Sequence, residues 1–551
     1  MAERISSMRW ISLAATCTAA GLVWLAFADF AVAIPAVADE FGADLSTLQW
    51  ANNAFSLVAG ALVIAAGKFG DTFGRRRMLQ IGVALFAGCS VVAAVAPGPE
   101  VLIAGRGLMG IGAALLLPAS LALIPPQFSG RAQLTAFGVW QAVAWGGQAV
   151  APAVGGVITD TLGWRWLFWI NIPLAVVVIL VVRAVTPESR DAEGTRRVDW
   201  PGLITIGLAV FALLFALTDG PSAGWGSPLV VGLLIVTVLL AAVWILIERH
   251  SSEPLVDLTL FRLRPYDGAL AANLMMNLAY AGLSYLLVLW LQNARGYSPV
   301  EAGLLMLPAT IGIFACIPLG GRLDARRGGR LPVLIGLVVM SAGLLSLGSL
   351  RSDSTIVGLG FCLVVVGLGL GLLSTPISNA AVGYVPATLA GTAAGVFKMS
   401  SMVGGALGVA VLSAFARGFT VADTSNEFRA AGMSSDDIAQ ADQALVNSSS
   451  FTQAIDSLPT SLQDVVTRAA IDAFSTGLAH TMIVTAVLAL AVTVLVAFVW
   501  PRQPQPESDR APPTGNEDDP NAHRHLARRY QGIDAEGQRG SGRDGFVPVD
   551  P

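Results

Sequence analysis

Apolar stretches of about 20 residues, the length needed to cross a bilayer as a helix, recur fourteen times along the 551-residue chain. They lie near 10–34, 48–68, 78–96, 101–124, 132–158, 166–186, 200–217, 228–247, 266–291, 302–321, 331–350, 355–380, 390–416 and 477–500. Gly and Pro punctuate several of the gaps, as in Pro97-Gly98-Pro99 and Asp219-Gly220-Pro221. Charged residues make up only 13% of the chain and mean hydropathy is +0.67. Soluble domains carry about 25% charged residues, so most of this surface has to face lipid. The expected class is an all-α integral membrane protein with 14 transmembrane helices. A net charge of −4 gives no nucleic-acid footprint. The cysteines (Cys17, Cys89, Cys316, Cys362) sit inside apolar runs without metal-type spacing and read as small core residues. The N-terminal run lacks a convincing cleavage site and reads as a retained first helix.

Orientation follows from the basic residues. With the N-terminus in the cytoplasm, the inner ends hold Arg4, Arg9, Lys68, Arg75 to Arg77, Arg131, Arg183, Arg190, Arg196, Arg197, Arg249, Arg262, Arg264, Arg322, Arg326, Arg327 and Arg330. The outer loops hold only Arg165, Arg295, Arg351, Arg417, Arg429 and Arg468. This is the positive-inside asymmetry, and an even span count returns the C-terminus to the cytoplasm. Residues 1–9 read as a cytoplasmic N-terminus and 417–475 as a long polar outer loop. Within that loop, 434–445 has the pattern of a short amphipathic helix and Asn447-Ser448-Ser449 matches a glycosylation pattern. Residues 502–551, rich in Pro, Arg, Asp and Gly, read as a disordered cytoplasmic tail. The His523-Arg524-His525 run in that tail reads as solvated.

Two loops look like copies of each other. After the second span the chain reads Gly67-Lys68-Phe69-Gly70-Asp71-Thr72-Phe73-Gly74-Arg75-Arg76-Arg77, and after the tenth Gly320-Gly321-Arg322-Leu323-Asp324-Ala325-Arg326-Arg327-Gly328. Each places Asp four residues after a Gly, followed by Arg. This suggests a six-helix block at 10–186, a related block at 266–500, and an inserted helix pair at 200–247 between them. Two related halves around a central site is a common transporter plan.

These residues carry a resemblance to the major facilitator superfamily, and within it to the fourteen-helix drug/proton antiporter branch (EmrB/QacA type). The first loop is similar to motif A, G-x-L-x-D-R-x-G-R-[KR]-x. Leu102 to Gly112 resembles motif B, with Met109 for the usual Gln, and Gly147 to Gly156 resembles the antiporter motif C, with Ala151 for Gly. Trp164 to Pro173, Gly224-Trp225 and Pro254 to Leu258 resemble further marks of the branch. The helix 1 motif keeps only Asp29 and Pro35 of the branch pattern, which leaves the substrate class open. The resemblance implies a major facilitator fold of two six-helix bundles with two extra helices between them. It implies proton-coupled efflux of hydrophobic or amphiphilic compounds such as drugs across the cytoplasmic membrane by alternating access. The driving force would be a proton gradient, with no cofactor, and the protein would act as a monomer. It also makes Asp71, Arg75, Arg76 and Asp324 a cytoplasmic gate latch, and Pro152, Gly155 and Gly156 the bend of an antiporter helix. Physics alone reads these last three as close helix packing, and the charged cluster as a helix-end clasp or as a topology mark.

Charges inside spans cost roughly 2.5–3.5 kcal/mol each on insertion scales and mark function by default. Asp29 and Arg106 both lie about five residues from the outer boundary, hence about 7–8 Å deep at 1.5 Å per residue. They are expected to couple across the N-half cavity, directly or through water or another polar side chain, with protonation of Asp29 loosening the coupling. A static ion pair, or an outward-snorkelling Asp, is the plainer account. Lys398, deep in span 13, is either a cationic handle in the cavity, for an anionic or amphiphilic substrate or for Asp29 across the cavity, or a snorkelling lysine. Trp24, Phe27, Trp50, Asn53, Phe55, Trp140, Gln141, Trp145 and Gln148, with Asn273, Asn277, Tyr280 and Tyr285, mix aromatic and neutral polar groups suited to bulky amphipaths.

Two other roles fit the same chain. One is transport of an endogenous lipid or metabolite. The other is a transport-dead receptor or assembly partner using the outer loop and tail. Enzymatic chemistry is not expected: there is no G-x-x-x-x-G-K-[ST] loop, no hydrolase elbow and no metal-ligand cluster.

Overall fold

All fourteen apolar stretches form helices long and apolar enough to cross a membrane in the computed structural model. The structure describes residues 2–190, 199–251, 254–349, 351, 354–430 and 460–500. The 434–445 segment, Asn447, His523 to His525 and the 502–551 tail lie outside them.

The first half comprises α1 (Ala2–Ala26), α2 (Asp29–Phe41), α3 (Leu45–Phe73), α4 (Arg75–Ala94), α5 (Pro99–Ala122), α6 (Gly130–Leu162), the short α7 (Trp166–Trp169) and α8 (Asn171–Val185). The inserted pair is α9 (Trp200–Ala223) and α10 (Pro228–His250). The second half comprises α11 (Arg264–Asn293), the short α12 (Pro299–Leu304), α13 (Leu307–Arg327), α14 (Arg330–Leu347), α15 (Ile356–Ser378), α16 (Ala390–Ala430) and α17 (Thr460–Val499). The architecture is two six-helix bundles with two further helices.

The repeat suggested by the two loops is a repeat of packing. In the first half α5 packs on α3 and α4, α6 on α1, and α8 on α4. In the second half α15 packs on α13 and α14, α16 on α11, and α17 on α14. Glycines set equivalent contacts in both. A Cβ on Gly82 would stand 2.8 Å from the Gly112 carbonyl oxygen, and one on Gly336 would stand 2.8 Å from that of Gly369. Helices lacking a strong hydrophobic drive in lipid associate through such small-residue approaches.

Two expectations change. The first span is not one helix: the chain turns at Phe27-Ala28, and Asp29 opens a new helix. The polar outer loop is also shorter than 417–475, because α16 continues to Ala430 and α17 begins at Thr460.

The inserted pair sits asymmetrically. α9 packs on both α3 and α16, with the Trp50 and Phe215 rings 5.0 Å apart and Leu214 against Gly60. α10 is held mainly through α9. The inserted pair therefore covers the seam between the halves formed by α3 and α16. The opposite seam, formed by α6 and α13, has no inserted helix on it.

Candidate functional site

Both halves line a narrow central cavity with about 340 Å³ of free space, counting its open side. Trp24, Gln141, Ala144, Trp145 and Gln148 come from the first half, and Asn273, Met276, Asn277, Lys398 and Ser401 from the second. Contacts between the halves frame it. Gln141 Nε2 donates to the Ser374 carbonyl (3.3 Å), Trp145 Nε1 donates to Ser374 Oγ (3.2 Å), and Trp145 meets Tyr280 edge-on at 5.0 Å. Asn273 Nδ2 is spent on α16, donating to the Phe397 carbonyl and to the Ser400 and Ser401 hydroxyls.

Lys398 is buried, so snorkelling to a surface is excluded. Its Nζ lies 4.2 Å from the Trp140 ring centroid, 5.1 Å from Phe397 and 5.5 Å from Trp24. A lysine of the second half thus reaches aromatic faces of the first.

Asp29 and Arg106 are both buried, yet they do not form an ion pair. Arg106 donates from Nη2 to the Ala26 carbonyl (2.9 Å) and to Asn52 Oδ1 (2.8 Å), and from Nε to the Ala51 carbonyl (3.3 Å). Its guanidinium also covers the rings of Phe55 (4.7 Å) and Phe30 (5.2 Å). Arg106 therefore holds the last residue of α1, at the break that Asp29 follows. Asp29 keeps one buried carboxylate oxygen, Oδ1, without a hydrogen-bond partner. Gly155 closes the break from the other side: a Cβ there would stand 2.5 Å from the Asp29 carbonyl oxygen. Gly156 faces the Val32 side chain, and α6 runs on through Pro152 as a single helix.

The two aspartates of the repeated loop do different things. Asp71, buried at the end of α3, sits on the N-terminus of α16. Its Oδ1 accepts from Gly391 N (2.7 Å), and its Oδ2 accepts from Thr392 N (2.7 Å) and Thr392 Oγ1 (2.9 Å). A carboxylate there satisfies orphan amides and meets the positive helix end. Arg75 Nη2 pairs with Asp71 at 2.5 Å and also donates to the Ala387 carbonyl. Arg76 does not cross between halves. It stays with its own half, at 3.1 Å from the Thr186 carbonyl and 3.6 Å from Glu188. Asp324 reaches the opposite half through a relay: Asn379 Nδ2 donates to Asp324 Oδ2 (2.9 Å), and Gln133 Nε2 donates to Asn379 Oδ1 (3.0 Å). Asn379 begins a π-helical turn after α15.

Of the other predicted lining residues, Phe27 and Phe55 meet at a tilt beside the Arg106 site, their rings 4.7 Å apart. Trp50 faces α9, Asn53 is half-buried on α3, and Tyr285 is exposed. Trp140 is fully buried with Nε1 on Ser120 Oγ, presenting only its face to Lys398. The sequence reading missed Asn52, Gln133, Ser374, Asn379 and Thr392. Only Asn52, next to the predicted Asn53 but one helical step round α3, stood close to a residue already singled out.

The family profile described as Major Facilitator Superfamily matches residues 13–409. The chain belongs to that superfamily. It is 37% identical to the multidrug resistance protein Stp of Mycobacterium tuberculosis (strain CDC 1551 / Oshkosh) over 69% of this chain and 71% of Stp. It is 31% identical to the tetracenomycin C resistance and export protein of Streptomyces glaucescens over 73% of this chain and 75% of that protein. In fold it is similar to the crystal structure of the human organic anion transporter MFSD10 (TETRAN), with a TM-score of 0.56 at 15% identity, covering 87% of this chain and 99% of the other. It is a multi-pass membrane protein of a transporter family.

Proposed function

We propose that the chain is a proton-coupled exporter of hydrophobic or amphiphilic compounds, drugs among them, working by alternating access in the cytoplasmic membrane. The observation that carries this reading is the aromatic and polar cavity shared by both halves, with a charged latch joining those halves at one face. Such a latch has to break for the cavity to open towards that face, which is the switch that alternating access requires. The names of the relatives, multidrug resistance protein and tetracenomycin C resistance and export protein, support export of drug-like molecules. Arginine enrichment supports placing the latch face and both termini in the cytoplasm.

Proton coupling is assigned to the helix break. Asp29 Oδ1 is buried and without a partner, three residues from the carbonyl that Arg106 holds. A proton taken up by Asp29 removes a negative charge beside that guanidinium and changes the balance at the break between α1 and α2. Arg106 and Asn52 position the break, and Gly155 lets α6 follow it. No cofactor is required, a monomer suffices, and the partners are the substrate, protons and the bilayer.

Proteoliposomes with an imposed pH gradient test the reading, using a cationic dye, an anionic dye and a fluorescent lipid as cargo. Gradient-driven dye export that loses its proton dependence in Asp29→Asn is the expected result. Uptake that needs ATP and no gradient would overturn the mechanism, as would a fully proton-driven Asp29→Asn protein.

A further inference from the structure

The chemistry of the cavity is one-sided. Lys398 supplies a buried cation, and no residue lining the cavity is acidic. Among the described residues no carboxylate pairs with Lys398. Its near neighbours are the faces of Trp140, Trp24 and Phe397, which attract a cation more weakly than an anion does once water is excluded. A second donor is left over: Trp24 Nε1 is buried and has no hydrogen-bond partner. An ammonium from one half and an indole N–H from the other, both on residues lining the same cavity and both lacking an acceptor, are the donor set for an anionic group. The rings of Trp24 and Trp145 supply a surface for a flat apolar body next to it.

From this juxtaposition we infer that the central cavity selects amphiphiles carrying a carboxylate or similar anion, with the anion on Lys398 and Trp24 Nε1. This deepens the export reading and rests on it for the word substrate. Lys398 belongs to α16, whose N-terminus Asp71 holds, and it reaches into the first half at Trp140 and Trp24. An anion bound there would therefore contact both halves at once.

The test uses three probes with one aromatic body: 1-pyrenebutyrate, its neutral amide, and a pyrenebutyl-trimethylammonium salt. Binding to the purified full chain in nanodiscs is measured by pyrene fluorescence against empty discs. The wild type is expected to bind the acid at least about 10-fold tighter than the amide, roughly the worth of one charge-assisted contact. Lys398→Gln is expected to lose that preference while amide affinity stays within about 2-fold, which reports a folded cavity. Lys398→Arg keeps a preference for the acid. Trp24→Phe, which removes the indole N–H and keeps a ring, weakens the acid by about 3-fold and spares the amide. Equal binding of acid and amide by the wild type, tightest binding of the trimethylammonium probe, or an unchanged acid preference in Lys398→Gln would each overturn the inference. If the binding preference holds but no probe moves under a pH gradient, the export reading fails and the anion site stands.

Discussion

The two seams between the halves are built from related sequence and close in different ways. At the α3–α16 seam, backbone meets backbone. A Cβ on Gly67 would stand 2.3 Å from the Gly391 carbonyl oxygen, and one on Gly395 would stand 2.8 Å from that of Val63. Asp71 then binds the opposite helix N-terminus directly, and α9 covers the outside. At the α6–α13 seam the approaches are mostly looser: a Cβ on Gly138 would stand 3.5 Å from the Ile317 side chain and one on Gly321 3.9 Å from the Leu134 carbonyl oxygen, with only Gly146 brought tight, at 3.0 Å from the Phe314 ring. Asp324 accepts from Asn379, which Gln133 of α6 bonds in turn, and from the Tyr384 hydroxyl (3.4 Å). A duplicated motif therefore does not imply a duplicated contact. A charge placed on bare helix amides is a strong clasp. A relay through neutral side-chain amides is a weaker one.

Several substitutions would break or sharpen that contrast. The largest effect belongs to Asp71→Asn, which leaves Arg75 and one of the α16 amides without their acceptor. Removing one member of a buried charge pair costs about 3–5 kcal/mol, so this variant should lose gradient-driven export almost completely while still reaching the membrane. Retained export would show that the clasp is incidental. Gly67→Ala comes next. Its Cβ has nowhere to go against a backbone oxygen, and overpacking costs about 1–3 kcal/mol. In thermal unfolding Gly67→Ala should melt lower than wild type, while Gly138→Ala, with ordinary van der Waals space, should be close to neutral. Equal melting shifts for the two glycines would remove the distinction between the seams. Gln133→Ala should reduce export by only a few-fold, since it cuts a neutral hydrogen bond worth about 0.5–1.5 kcal/mol.

The smallest effect lies at the far end of the first half. There Glu40 accepts from Trp164 Nε1 (2.8 Å) and Arg165 Nη1 (2.6 Å). The Trp164 bond first, then Arg165, holds the Glu40 carboxyl below its ordinary range. A depressed carboxyl contributes stability above its unfolded pKa, and that stability is lost as pH falls through the folded value. The pair is largely exposed, with side chains 36% and 43% accessible, so the contribution is about 0–1 kcal/mol. Melting of wild type and Glu40→Gln should therefore differ slightly near neutral pH and converge in acid. A gap that widens in acid would contradict the assignment.

Much of this was legible in the sequence, for physical reasons. Lipid requires every span to satisfy its own backbone, so apolar length alone locates the helices. The Asp71 and Asp324 loops announce the repeat because a charged helix end keeps its spacing. What the sequence hid is whatever depends on a neighbour. No Gly or Pro marks the break at Phe27-Ala28. The break is held from outside, by Arg106 on the Ala26 carbonyl and by the close approach of Gly155. Asp29 and Arg106 were expected to couple, directly or through a polar side chain, but helical depth does not fix azimuth, and Arg106 turns to Asn52 and the Ala26 carbonyl. The relay through Asn379 depends on a π-helical turn that local propensity does not specify. Lys398 could have snorkelled on length alone. Its aromatic enclosure comes from α1 and α6, far away in the chain.

The most direct measurement is of distance across each seam at the arginine-marked face. Spin labels at the exposed positions Arg77 and Thr388 report the α3–α16 side, and labels at Arg131 and Arg326 report the α6–α13 side. The four native cysteines are replaced in both pairs. Double electron–electron resonance on each pair is then compared among wild type, Asp71→Asn and Asp324→Asn. If Asp71 is the clasp, Asp71→Asn moves both distributions to longer distances and Asp324→Asn leaves them mostly at the wild-type value. Equal opening by the two variants, or an unmoved Asp71→Asn distribution, would contradict it.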